Sequence, residues 1–181
     1  MKHIKIVVGV PAIIAASAFT LIQSLNWNLN GDYSVKSGVC VFRGLKATIS
    51  FDETNPEKSK IAASIDATSI STGNRLMDEH AKDKEALYTA KYPVITFVST
   101  AVKRISPSRY EAIGKLTLKG ITKEIKLPFT FDSKKNVMDR FPMVTKETFS
   151  GRITIAAKDF NITREGVPEE VFVDLTIPVS K

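Results

Sequence analysis

The residues best equipped for chemistry gather around the start of "HAKDKEALYTAKYPVITFVST", where His80 stands close to Asp83 and to Asp78 and Glu79 just before the segment. A histidine among carboxylates is the raw material of a general base, but a working base needs a positioned partner and a proton within hydrogen-bond reach. No HExxH or GxSxG arrangement accompanies it. Charged neighbours on a short helix are ordinarily solvated, and one histidine with scattered carboxylates lacks the ligand spacing of a metal site. His80 is therefore expected to be structural, with no catalytic residue, no metal and no cofactor. Cys40, the only cysteine, excludes an internal disulfide or a Cys-rich metal site and reads as a buried, inert thiol. Asn161-Ile162-Thr163 matches a glycosylation acceptor, a tripeptide common by chance, and is read as a turn after a strand.

The N-terminus has its own composition. Lys2 and Lys5 precede an uncharged apolar run from Ile6 to Ala16, followed by Ala16-Ser17-Ala18. This is the order of a secretory signal segment, with cleavage expected after Ala18. Residues 1–18, with an outer bound near 24, are assigned to it, and 25–181 to one domain. An uncleaved anchor is the competing reading; Pro11, Ser17 and Thr20 weaken a span that needs about 20 apolar residues. Export places the protein in the periplasm or outside the cell. Removing two lysines lowers the formal charge from +7 to +5. That basicity is spread along strand-like segments, which permits transient contact with a membrane surface and does not favour nucleic acid.

Behind these residues the pattern has period two. Leu45, Ala47, Ile49 and Phe51 alternate with polar residues in "LKATISFD", as do Ile61, Ala63 and Ile65, and Ile125, Leu127, Phe129 and Phe131. Tyr110, Ala112, Gly114, Leu116 and Leu118 share a face, and Lys119-Gly120 predicts a tight hairpin to the next strand. Pro128 predicts an edge-like or bulged place, since it cannot donate to a ladder. The charged stretch from His80 to Ala90 predicts a short helix, with Ala81, Ala86 and Leu87 turned inward and Tyr92-Pro93 ending it. Asp132 to Glu147 reads as a polar connection.

Antiparallel strands with one apolar face each must close into a sandwich or a barrel. The fold class expected is all-β with one short helix, an antiparallel lipocalin-like barrel of about eight strands. Small residues among the inward ones, including Ala47, Ala63, Ala112, Gly114 and Gly151, leave room for a lumen. Phe51, Phe97, Phe129, Phe131 and Phe149 are large enough to fill it. Both readings stand on sequence alone.

Several segments together resemble the YceI-like family of exported lipid- and polyisoprenoid-binding proteins. They are Ser69-Ile70-Ser71-Thr72, the His80 helix with Lys91-Tyr92-Pro93 and Ile95-Thr96-Phe97, and Gly114-Lys115-Leu116-Thr117 with Gly120. The resemblance implies a lipocalin-like barrel holding an isoprenoid or other long-chain lipid, for transport, storage or stress response. The opening strand pair from Tyr33 looks shorter than is usual there. Strand parity then selects Ile49, Phe51, Ile65, Phe97, Leu116, Leu127, Phe129 and Ile153 as lumen-lining. Burying ten methylenes is worth roughly 8 kcal/mol gross, enough for about micromolar affinity before immobilisation is subtracted. The competing readings are a non-catalytic interaction barrel with a filled core and, more remotely, an enzyme using His80. A homodimer paired through exposed strands is compatible with the pattern.

Overall fold

The computed structural model describes residues 25–30, 34–38, 40–135 and 145–180. The expected signal segment, Tyr33 and the middle of the Asp132–Glu147 connection lie outside the described residues.

Among the described residues the alternation becomes one antiparallel sheet of ten strands. They are β1 (Leu25–Asn30), β2 (Val35–Ser37), β3 (Cys40–Phe42), β4 (Lys46–Phe51), β5 (Lys60–Asp66), β6 (Val94–Ser106), β7 (Arg109–Leu118), β8 (Ile121–Lys135), β9 (Thr145–Ala156) and β10 (Glu170–Ser180). In space the order is β1-β4-β5-β6-β7-β8-β9-β10-β2-β3, so the sheet curls in chain order except at its first three strands. The result is a lipocalin-like curled barrel.

Ten strands reconcile with the expected eight through that exception. β1 is bonded to β4, whereas β2 is bonded to β10, at the other end of the run β4 to β10. Only residues 31–34 separate β1 from β2. Five Cα steps reach at most about 18 Å, so the chain itself ties the two edges together. β1 and β2 thus serve as one interrupted stave beside the seven strands β4 to β10, and β3 is a short addition.

A second closure lies at one end. β3 meets Ser71 through paired backbone bonds, Val41 N–H to Ser71 O at 2.8 Å and Ser71 N–H to Val41 O at 2.9 Å. Next to it the Arg43 N–H donates to Ser69 Oγ at 2.9 Å, and the Ser69 hydroxyl lies 2.6 Å from the Asp66 carbonyl. The segment Ser69-Ile70-Ser71-Thr72 is therefore a clasp, with Ile70 buried between its two serines.

Local chemistry fixes the joints. Lys119 and Gly120 both have positive φ, 51° and 74°, as a two-residue hairpin turn between β7 and β8 requires. The ring of Tyr92 packs so closely on Gly120 that a Cβ there would meet it at 2.5 Å. At Pro128 the expected edge-like place is present: β8 pairs with β9 only from Phe129 onward. β8 runs on to Lys135 and β9 begins at Thr145, so both ends of the Asp132–Glu147 stretch are strand rather than connection.

The helix differs from expectation. α1 spans Arg75–Lys82, so His80 lies in its last turn and not at its start. Asn74 explains the earlier beginning, because its side chain accepts from the Leu76 and Met77 N–H groups and satisfies two donors of the first turn. Asp83 is extended, with ψ 164°, and turns rather than helix lead on to Pro93.

Candidate functional site

Inward-facing side chains change character along the strands, and that gradient makes the site. At one end Phe51 is wholly buried at the centre of an aromatic cluster. Its ring lies 4.9 Å from Tyr110, 5.0 Å from Phe131, 5.5 Å from Phe149 and 5.9 Å from Phe129, centroid to centroid. Trp27 closes the side of the cluster, 5.2 Å from Phe149 in an edge-to-face contact. Such pairs add about 0.5–1.5 kcal/mol each beyond the area they bury. This cluster is a floor.

Toward the other end the same faces carry aliphatic residues. β4 passes from Phe51 to Ile49 and Ala47; β8 from Phe131 and Phe129 to Leu127 and Ile125; β9 from Phe149 through Gly151 to Ile153 and Ile155. Shorter side chains no longer meet across the axis, and a cavity of about 540 Å³ remains. That lies within the roughly 300–1,000 Å³ of small-molecule sites.

Of the eight residues selected by strand parity, Ile49, Ile65, Phe97, Leu116, Leu127 and Ile153 line this cavity. Phe51 and Phe129 do not, because both belong to the floor, where their rings fill the interior. Parity placed them on the inward face but at the wrong height. Ile61, Ala63, Ile95, Ile125 and Ile177, outside those eight, also form the wall. Phe97 reaches the wall because β7 offers it a glycine: a Cβ on Gly114 would stand 2.7 Å from its ring.

The mouth is built from less regular segments. Met77, His80 and Ala81 of α1, Ala86 and Leu87 beyond it, and residues 164–168 before β10 all border the cavity. Thr72 holds the helix start: its N–H and hydroxyl both donate to one Asp78 carboxylate oxygen, at 2.6 and 2.7 Å. These bonds hold the Asp78 carboxyl below the usual carboxylate range. Across the mouth, Arg164 pairs with Asp83 at 2.7 Å and the Thr163 N–H donates to the Glu85 carbonyl at 2.9 Å. The ion pair is partly exposed and worth about 0–1 kcal/mol.

Among the described residues, groups with catalytic potential lie apart from one another. His80 is exposed at the rim, and its imidazole has no hydrogen-bond partner among the described residues. Cys40 is half-buried in the cavity wall rather than fully buried. Burial first, and Asp78 second, push its thiol upward, away from the reactive thiolate. No group of three or more His, Cys, Asp or Glu among the described residues could hold a metal ion.

Comparison with known proteins agrees with this architecture. The model of the YceI-like domain family matches residues 22–179. Protein YceI of Escherichia coli O157:H7 is 37% identical over 139 residues, covering 76% of this chain and 70% of that protein. Among solved structures, a YceI protein of Campylobacter jejuni superposes with a TM-score of 0.68 at 22% identity, covering 100% of this chain and 99% of that one. A polyisoprenoid binding domain from Saccharophagus degradans, implicated in plant cell wall breakdown, gives 0.56 at 14% identity over 86% of this chain and 98% of that one. The match along nearly the whole described barrel, clasp and helix included, makes this chain a member of the YceI-like family.

Proposed function

We propose that the protein is a non-catalytic carrier or store for a long-chain lipid, an isoprenoid before other types, held in the barrel with its tail toward the aromatic floor. The observation that carries this reading is the cavity itself: about 540 Å³, walled by aliphatic side chains and closed at one end by the Phe51 cluster. A linear apolar chain fits such a space, and removing it from water supplies the affinity with little polar help. The family and the polyisoprenoid-binding relative of similar fold support an isoprenoid as the ligand. The apolar run after Lys2 and Lys5 supports export, with the ligand met outside the cytoplasm.

The test is organic extraction of protein purified from its own host, followed by mass spectrometry of the extract and of the intact chain. An isoprenoid or other long-chain lipid in stoichiometric amount, on a chain beginning after Ala18, is the expected result. Extracts without lipid, from protein that also fails to take up added isoprenoids, would overturn the reading.

A further inference from the structure

α1 is amphipathic, yet it buries none of its side chains. At 3.6 residues per turn, Leu76, Met77, His80 and Ala81 fall on one side and Arg75, Asp78, Glu79 and Lys82 on the other. Met77, His80 and Ala81 border the cavity mouth, but Leu76 and Met77 remain 64% and 54% exposed. Phe172, near the start of β10, borders the same mouth and is 48% exposed. The other large exposed apolar residues among the described ones, Val94, Val98 and Ile105, are all on β6 and outside the cavity wall. The rim is thus an apolar patch continuous with the lumen.

From this patch, and resting on the lumen reading, we propose that the mouth docks on a neutral phospholipid bilayer, with Leu76, Met77 and Phe172 entering the interface so that a lipid passes into the lumen without crossing water. The charges select the kind of surface. The outer face of α1 carries two cations and two anions, the neighbouring Arg164 is already paired with Asp83, and Glu165 and Glu170 add two further anions at the mouth. Such a rim has no net attraction to an anionic membrane and matches zwitterionic headgroups. Contact is then apolar, reversible and insensitive to salt, as expected of a small amphipathic element with few inserted side chains.

The experiment places tryptophan reporters in the full chain, Leu76→Trp at the rim and Val98→Trp on the outer face of β6, and adds vesicles of brominated phosphatidylcholine. Both positions are exposed, so neither substitution enters the core, and any other attachment to the vesicle is common to the two variants. Blue-shifted, quenched emission from position 76, retained in high salt and absent at position 98, is the expected result. Unquenched emission at 76, or equal quenching at both positions, would overturn the proposal. Leu76→Glu is expected to lower vesicle partitioning about tenfold, the ratio that burial of one leucine supports, and an unchanged partition would also overturn it. A parallel titration with a short, water-soluble isoprenoid alcohol, without vesicles, separates the two ideas. Binding there without quenching at 76 removes the docking proposal alone; quenching without binding removes the lumen reading.

Discussion

The ring of Phe97 lies against the backbone of Gly114, and it does so because Gly114 has no side chain. A Cβ at that position would stand 2.7 Å from the ring and 2.5 Å from the Val98 carbonyl oxygen. The carbonyl belongs to the β6 backbone and cannot yield as a side-chain tip can. Gly114→Ala is therefore expected to lower stability by about 1–3 kcal/mol through overpacking and to push Phe97 into the lumen. Denaturant unfolding and isoprenoid titration check the two effects; unchanged values in both would contradict the contact.

Floor and wall differ in what truncation costs. Phe51→Ala removes the ring around which Tyr110, Phe129, Phe131 and Phe149 pack, and is expected to cost about 3–5 kcal/mol. Leu127→Ala enlarges a space that already exists, so its cost is expected near the low end of about 2–5 kcal/mol for that substitution. Chemical denaturation of the two variants should show Phe51→Ala clearly the less stable.

Stability should fall in acid through two aspartates. The Asn55 N–H, then the Thr54 N–H, holds the Asp52 carboxyl below its ordinary range, while the hydroxyl and N–H of Thr72 do the same for Asp78. A carboxyl whose folded pKa is depressed stabilises the fold fully above its unfolded value of about 3.9, and that contribution is lost as pH falls through the folded value. Asp52→Asn and Asp78→Asn are thus expected to flatten the acid limb of a Tm-against-pH curve. Limbs as steep as that of the unaltered protein would contradict it.

The Ser69 clasp gives a local signature. Ser69→Ala removes the acceptor of the Arg43 N–H and the donor to the Asp66 carbonyl, interactions worth about 1 kcal/mol each. Hydrogen exchange is expected to quicken at Val41, Arg43 and Ser71 and to stay unchanged at the floor, around Tyr110 and Phe129.

Most of the barrel was legible in the sequence because a strand states its facing residue by residue. The alternation of Ile49 with Ser50, or Leu127 with Pro128, gives the side of the sheet without reference to any other strand. Height along the barrel is different. Phe129 and Leu127 share a face, and their separation into floor and wall depends on register with neighbours, Phe129 opposite Gly151 and Leu127 opposite Ala112. The interrupted first stave was hidden for a related reason: which strands β1 and β2 join is settled by long-range pairing. The helix start does carry a local signal. Asn74 before Leu76, Met77, His80 and Ala81 is an N-cap before an amphipathic run, whereas the charges around His80 mark the helix's last turn.

The measurement that tests the central claim most directly is a calorimetric titration of a long-chain isoprenoid alcohol into the unaltered protein and into Ala63→Phe. Ala63 lies in the cavity wall, opposite Phe97 on β6 and Ala47 on β4, so a phenyl ring there occupies the lumen without entering the floor. The expected result is about micromolar affinity for the unaltered protein and a loss of at least about tenfold in the folded variant. Equal affinity in the two proteins, or no binding by the unaltered one, would contradict the lumen as the lipid site.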